Sequence, residues 1–285
     1  MSGAIGAARR VDHDDLPFVT ATVNYSAKID RARSDLVDPS NTYRPLIPKT
    51  VKIRDARPIR HQLSLDNQGF VLVDHKSSVS HLRDPKLLDK TYHRELTRVV
   101  QDVTDADIVL PYKNYLQVRL SPRAPGESGN DLTRPAGFVH YDLTQETFAN
   151  FIRWVQEAEG VSIKNFSRAM FVQSWRAVSE PPQDYPLALT DGRSTKPGNY
   201  VIMDNITTLE DDGQSVETRL GLYDPDDEWY YFSNMRSDEL LLFVGNDTKY
   251  GDNLSVLHTG FDNTPKYPNA SPRESIETRF VAFWK

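Results

Sequence analysis

The sequence predicts a mainly β fold with flanking helices, arranged as an antiparallel sandwich or barrel. From Ser167 onward, eight short segments carry strand-like patterns, and turn-forming residues separate them. The amphipathic helices lie before this region, so we expect them to cover one sheet. The chain has 285 residues and 38% hydrophobic content, which is enough for one large domain with a sizeable core or for two small ones.

Composition excludes several classes of protein. The chain contains no cysteine, so disulfides, thiolate nucleophiles and cysteine-ligated metals are ruled out, and any metal must be held by nitrogen and oxygen. The formal net charge of −6, without a dense basic cluster, argues against a nucleic-acid partner. No apolar run is long enough for a membrane helix or a signal peptide. We expect a cytoplasmic protein with a small-molecule substrate, no membrane partner, and a homodimer as one open option.

The first half of the chain mixes strands and helices. Residues 1–65 are polar and rich in proline and arginine, which predicts an extended arm on a core formed by residues 66–285. Asp84 can cap a helix that begins at Pro85, and "QETFANFIRWVQEAEG" is a second amphipathic helix. The predicted strands of this half are "GFVLVDH", "ADIVLPY" and "NYLQVRLS", followed by the apolar segment "AGFV" that leads into "HYDLT".

Three of the seven histidines stand two residues before an acid, but one of these pairs has metal-site geometry. His13 lies in a polar segment without a predicted element. His93 lies on a helix, where residues i and i+2 do not share a face. His140 and Asp142 lie on a predicted strand, where residues two apart point to the same side. A facial triad for Fe(II) needs two histidines and one carboxylate, and His258 is the best candidate for the third ligand.

A structural interpretation of the same residues stays open. His140 and Asp142 can form a hydrogen-bonded pair, and His258 can be an isolated core histidine.

The last predicted strand has one polar face. Its mostly apolar face carries Ile276, Phe280, Ala282 and Trp284, and the opposite face carries Arg273, Ser275, Glu277 and Arg279. Polar groups inside a barrel are costly unless they meet a ligand, and a guanidinium matches a carboxylate. The alternative is an exposed edge strand with surface arginines. Because this strand follows His258 by only fifteen residues, we expect the two to pair as a hairpin.

Taken in order, these motifs resemble a known family. "FVHYDLT", "FVQSWRAV", "DELLLFVGND" and "HTGFDN…SPRESIETRFVAF" are similar to the hydroxylase/desaturase family of microbial secondary metabolism, which includes gibberellin-type desaturases. That family belongs to the Fe(II)/2-oxoglutarate-dependent oxygenases. The resemblance runs from about residue 65 to the C-terminus. It implies a double-stranded β-helix, the jelly roll or cupin-like fold, in a single oxygenase domain.

The resemblance also implies roles for particular residues. His140, Asp142 and His258 would be the catalytic iron ligands. Arg273 and Ser275 fit an R-x-S motif that holds the distal carboxylate of 2-oxoglutarate, and Arg279 is the competing candidate. Where family members often have asparagine, this chain has Gln173, two residues before the Trp175-Arg176 pair. Arg176 is a further candidate to bind a carboxylate, and Trp175 a candidate to contact substrate.

The expected activity is oxidation of a C–H bond in a small secondary-metabolite precursor, with Fe(II), 2-oxoglutarate and O2 consumed to give succinate and CO2. Hydroxylation, desaturation and oxidative cyclisation stay open. Tyr115, Gln117 and Arg119 lie on one face of a predicted strand and are candidates to bind the substrate. The alternative is that Arg119 pairs with an acidic residue and Tyr115 belongs to the core. The alternatives are a cupin-like small-ligand-binding protein and a metal-dependent hydrolase that uses the same three ligands.

Overall fold

A computed structural model of the chain describes residues 13–79, 91–123, 134–206 and 216–285, apart from the side chains of 113–116. The helices in these ranges are α1 (His93–Thr104) and α2 (Gln145–Ala158), with short 3-10 turns elsewhere. The strands are β1 (Phe18–Ser26), β2 (Ala32–Asp35), β3 (Leu46–Asp55), β4 (Phe70–Asp74), β5 (Ile108–Leu120), β6 (His140–Tyr141), β7 (Arg168–Ala177), β8 (Leu187–Thr190), β9 (Tyr200–Ile206), β10 (Val216–Gly221), β11 (Trp229–Tyr231), β12 (Glu239–Asp247), β13 (His258–Gly260) and β14 (Glu274–Trp284).

These strands form two sheets. One has nine strands in the order β1-β3-β11-β8-β13-β6-β10-β9-β2, and the other has five in the order β4-β12-β7-β14-β5. The predicted mainly β class is therefore observed, and each of the eight segments after Ser167 contains a strand. The strands after Ser167 pair with one another in antiparallel fashion, as predicted. Parallel pairing occurs where β3 meets β11 and where β2 meets β9. Both parallel pairs use strands from the first 65 residues, which long connections separate from their partners.

The two sheets bury an apolar core between their facing sides. Trp175, Leu241 and Phe243 of the five-stranded sheet pack in one cluster with Leu187 and Leu189 of β8. Burying side chains of this size contributes roughly 1.5–3 kcal/mol each. This core fixes how the two sheets pack against each other, and the site described below depends on that packing.

Helix α1 covers the outer side of the five-stranded sheet. Leu96 and Val100, one helical turn apart, pack with Val172, Ile276 and Phe280. The predicted helix start at Asp84 and Pro85 falls in residues 80–90, outside the described ranges.

Helix α2 packs on the facing side of the same sheet. Thr144 caps its N-terminus, because its side chain accepts a hydrogen bond from the Thr147 N–H at 3.0 Å. Phe148 and Phe151 then pack against Phe171. Neither α1 nor α2, the α-helices of the described ranges, is long and apolar enough to cross a membrane.

Two further sequence predictions need correction. "ADIVLPY" and "NYLQVRLS" are one continuous strand, β5, instead of two. Pro111 is tolerated inside β5 because β5 is an edge strand and its pairing with β14 changes register next to this residue. The predicted hairpin of β13 and β14 does not form, because the two strands belong to different sheets. Their side chains instead approach each other across the sandwich.

Candidate active site

Two strands bring His140 and His258 together. In the nine-stranded sheet β6 pairs with β13, and His140 lies directly opposite His258. Their ring centroids are 4.2 Å apart, and both side chains are buried. Residues 118 positions apart therefore share one location through strand register alone.

Asp142 completes a group of three potential metal ligands. It follows β6 directly, and its Oδ1 lies 3.4 Å from Nε2 of His140 and 3.8 Å from Nε2 of His258. One ligand atom from each residue lies within 4.8 Å of the others. Two imidazoles and one carboxylate are the donor set of the facial triad that binds Fe(II).

Backbone contacts fix which histidine nitrogens face the centre of this group. Nδ1 of His140 donates to the Phe138 carbonyl at 2.9 Å, and Nδ1 of His258 donates to the Val256 carbonyl at 3.2 Å. A carbonyl only accepts hydrogen bonds, so each Nδ1 carries the proton and each neutral ring has an unprotonated Nε2. The lone pairs that a metal would need are therefore the ones directed at Asp142.

Electrostatics keep this group in a metal-binding form. Burial opposes ionisation of Asp142, but the Arg279 guanidinium and the two histidines hold the pKa of the carboxyl well below its usual range. Nη2 of Arg279 lies 3.1 Å from Oδ2 of Asp142. Burial, together with the neighbouring His140, lowers the pKa of His258 to about 4. At neutral pH the site thus presents an anionic carboxylate and an uncharged His258.

A cleft opens beside the three residues, and Arg273 lines it. Its guanidinium lies 5.6 Å from the ring centroid of Trp175, and a Cβ at Gly260 would be 3.6 Å from its Nη1. Nη1 donates to the Tyr185 carbonyl at 3.2 Å, while Nε and Nη2 have no hydrogen-bond partner among the described residues. Burial lowers the pKa of Arg273 to about 10, so the group stays cationic at neutral pH. A buried cation with two unused donors fits the carboxylate of a ligand.

Two other predicted cosubstrate residues share the strand face of Arg273. Ser275 is fully buried, and its hydroxyl has no hydrogen-bond partner in the described part of the chain. Arg279 lies at the far end of this face, where it contacts Asp142.

The fourth predicted cosubstrate residue, Arg176, lies elsewhere. It is fully buried on the opposite face of β7, where Nε donates to the Tyr92 hydroxyl at 2.8 Å and Nη1 to the His75 carbonyl at 2.8 Å. Its Nη2 contacts Nδ1 of His75 at 2.6 Å. The structure therefore does not bring Arg176 to the cleft, because neighbouring residues of a strand point to opposite faces.

The predicted substrate residues divide in the same way. Trp175 and Arg119 line the cleft. Nε of Arg119 donates to Oε2 of Glu277 at 2.9 Å, and Nη2 donates to Oε1 of Gln117 at 2.9 Å. The side chain of Tyr115 lies outside the described part of the structure.

Several residues that shape the site were not among those predicted from the sequence. Glu277 lines the cleft on the polar face already recognised in β14. Asp184 is buried and accepts from the Arg273 N–H at 2.7 Å and from the Ser121 hydroxyl at 2.6 Å, which fixes the start of β14 beside β5. The alternation of the strand could have indicated Glu277, whereas no sequence signal marked Asp184.

Arg219 holds the backbone next to Asp142 in place. It is fully buried, donates through Nε to the Leu143 carbonyl at 2.8 Å, and pairs through Nη1 with Asp252 at 2.6 Å. Because Leu143 follows Asp142 directly, this contact fixes the backbone that carries the carboxylate.

Comparison with known proteins places the chain in a family. The model of the family described as "Oxidoreductase/YMDC permease-like domain" matches residues 16–283. The chain belongs to this family. Among curated proteins, it is 29% identical to the hydroxylase/desaturase efuI of Hormonema carpetanum, covering 94% of this chain and 96% of that protein. It is 28% identical to the Fe(II)/2-oxoglutarate-dependent dioxygenase nvfI of Aspergillus novofumigatus, covering 83% of this chain and 84% of that protein.

A solved structure shares the fold. The iron and α-ketoglutarate-dependent endoperoxidase NvfI superposes with a TM-score of 0.82 and 23% identity, covering 94% of this chain and 98% of that one. The predicted jelly-roll fold is confirmed by this match. The resemblance to the hydroxylase/desaturase family and the enzyme class, an Fe(II)/2-oxoglutarate-dependent dioxygenase, are confirmed by the relatives. The cupin-like binding protein and the hydrolase are not favoured.

Proposed function

We propose that this dioxygenase holds Fe(II) through His140, Asp142 and His258 and oxidises a C–H bond of a small secondary-metabolite precursor. The observation that carries the proposal is that one ligand atom from each of His140, Asp142 and His258 lies within 4.8 Å of the others, at the edge of a cleft. This donor set matches a facial triad. When bound, Fe(II) with 2-oxoglutarate and O2 supplies the oxidising chemistry, with succinate and CO2 as co-products.

The chain contributes the orientation of the ligands. The carbonyls of Phe138 and Val256 hold the two imidazole rings by their Nδ1–H groups, and Arg279 engages Oδ2 of Asp142. Oδ1 is consequently the carboxylate oxygen nearer to the two Nε2 atoms. Such contacts to the groups that hold metal ligands usually tune both affinity and geometry.

Within this proposal, Arg273 binds the distal carboxylate of 2-oxoglutarate. Its unused Nε and Nη2 atoms give it the donors for a bidentate contact. Arg279 is engaged with Asp142, and Arg176 lies on the opposite face of β7. Trp175 and Arg119 are assigned to the substrate side of the cleft, with Gln117 beside Arg119.

Fe(II) binding tests the ligand assignment directly. The wild-type protein should bind one Fe(II) under anaerobic conditions, whereas His140→Ala and His258→Ala should lose roughly 100-fold or more in affinity, because a bidentate remainder holds the ion poorly. His61→Ala is the matched control, since His61 is exposed and lies away from the cleft. Full Fe(II) affinity in His140→Ala would overturn the assignment.

The proposal also covers the domain organisation, the location and the partners of the protein. We propose a single oxygenase domain over residues 1–285, since β3 pairs with β11 and β2 with β9 across the predicted arm and core. Cytoplasmic location and the absence of a nucleic-acid partner stay predictions from composition, and a homodimer stays an open option.

A further inference from the structure

Arg119 and Glu277 form an ion pair in the same cleft as the triad, yet the chemistry proposed above gives Glu277 no task. Nε of Arg119 lies 2.9 Å from Oε2 of Glu277, and the two side chains are only 17% and 21% exposed. A pair so shielded from solvent is screened less by salt than an exposed one. The negative charge of Glu277 therefore offsets the positive charge of Arg119 for a ligand in the cleft, even in the presence of salt.

The donors of Arg119 are already engaged. Nε donates to Glu277, Nη2 to Gln117 at 2.9 Å, and Nη1 to the Arg134 carbonyl at 2.7 Å. Arg273 differs, because its Nε and Nη2 have no hydrogen-bond partner in the part of the chain that the structure describes. Two guanidinium groups thus line one cleft. The donors of Arg119 are engaged in hydrogen bonds, whereas two donors of Arg273 are unused.

This difference matters for a ligand that carries two carboxylates. Glu277 lies on β14 between Arg273 and Arg279, and residues two apart on a strand are about 7 Å apart. A guanidinium binds any carboxylate bidentately, without distinguishing the two ends of 2-oxoglutarate. If Arg119 were available, either end of the cosubstrate could bind there and miss the triad.

We propose that Glu277 is a positioning residue that occupies Arg119 and so leaves Arg273 as the guanidinium that receives the distal carboxylate of 2-oxoglutarate. Glu277 thereby selects one orientation of the cosubstrate by removing a competing anion site. This inference rests on the proposed function and extends it to a residue that binds neither iron nor cosubstrate.

Glu277→Gln tests the inference with little risk to the fold, because glutamine has nearly the same size and shape as glutamate. Its neutral amide accepts a hydrogen bond from Arg119 more weakly than the carboxylate does, so a ligand carboxylate can displace it. Two quantities are measured anaerobically with Fe(II): the 2-oxoglutarate bound, by equilibrium dialysis, and the visible charge-transfer band of its chelate. We expect the absorbance of the band, divided by the amount of 2-oxoglutarate bound, to fall at least about twofold in the variant. The reason is that part of the ligand binds at Arg119 and not at the metal. Glutarate, which lacks the keto group, should bind to the Glu277→Gln variant about tenfold more tightly than it binds to the wild type.

The controls separate this effect from a general loss of negative charge. Glu274→Gln removes a carboxylate from the opposite face of the same strand and should leave the ratio unchanged. Arg119→Gln combined with Glu277→Gln should restore the wild-type ratio. A wild-type ratio in Glu277→Gln would overturn the inference and leave the proposed function standing. A wild-type protein that binds 2-oxoglutarate without any band would overturn both.

Discussion

Arg279 and Asp142 form an ion pair that joins the two sheets of the sandwich. Nη2 of Arg279, in the five-stranded sheet, lies 3.1 Å from Oδ2 of Asp142, which follows a strand of the nine-stranded sheet. The carboxylate is thus held at one oxygen while the other lies near the two histidines. Metal affinity should consequently depend on a residue that does not touch the metal.

Arg279→Gln should weaken Fe(II) binding by roughly 10- to 100-fold, the usual effect of removing a partner of a metal ligand. The reason is that Asp142 loses the charge that favours its ionised, oriented form. Anaerobic Fe(II) titration measures the effect. Arg168→Gln removes an arginine of the same sheet that pairs with Asp247, and it should leave the affinity unchanged. Equal affinities in the two variants would contradict the assigned role of Arg279.

Arg273→Gln should raise the dissociation constant of 2-oxoglutarate by roughly 10- to 100-fold, since hydrogen bonds to a charged group contribute about 1.5–3 kcal/mol. Arg176→Gln should instead lower stability with little change in this constant, because Arg176 contacts Tyr92 and His75 away from the cleft. Equilibrium dialysis of 2-oxoglutarate against the Fe(II)-loaded variants distinguishes the two. The opposite pattern would show that the wrong arginine has been assigned.

The metal-free protein should lose stability as the pH falls from 6.5 to 4. Burial and His140 lower the pKa of His258 to about 4 in the folded protein, against a usual value of 6.5. Between these pH values the unfolded chain binds more protons than the folded one, so the free energy of unfolding decreases as the pH is lowered. A pKa difference of one unit corresponds to ~1.4 kcal/mol, so His258 lowers the free energy of unfolding by about 3 kcal/mol in total as the pH falls through this range.

Urea unfolding in the presence of a chelator, repeated across this pH range, measures that loss. His258→Gln should show a flatter dependence over the same window, since it removes the titrating group. Identical pH profiles for the variant and the wild type would exclude His258 as the origin.

Gly245→Ala should destabilise the fold by about 1–3 kcal/mol, the usual cost of overpacking a core. A Cβ at Gly245 would lie 2.2 Å from Cδ1 of Phe171, and that ring is held against Phe148 and Phe151 of α2. Gly137→Ala is the control, because a Cβ there meets nothing within 4 Å among the described residues. Unfolding midpoints that match for the two variants would contradict this packing account.

Strand periodicity explains why part of the site is predictable from the sequence. Residues two apart on a strand share a face, and this rule alone groups His140 with Asp142 and Arg273 with Arg279. The same rule could have corrected one expectation. Trp175 and Arg176 are adjacent on a strand, so only one of them could face the cleft, and it is Trp175.

Contacts between strands far apart in sequence are not predictable in this way. The pair Arg279–Asp142 depends on how the two sheets stack, and the pair Arg119–Glu277 depends on the register of β5 against β14. No local sequence pattern encodes either. The false hairpin of β13 and β14 has the same origin. A separation of fifteen residues permits a hairpin, but it equally permits a connection from one sheet to the other, and packing of the core decides between them.

Anaerobic addition of 2-oxoglutarate to the Fe(II)-loaded protein tests the central claim most directly. The wild type should develop the visible charge-transfer band of a bidentate chelate and then release succinate on exposure to O2 with a substrate. Asp142→Asn should give a band reduced at least about tenfold, since the triad loses its anionic ligand. A wild-type protein that binds Fe(II) and 2-oxoglutarate but forms neither the band nor succinate would contradict the account.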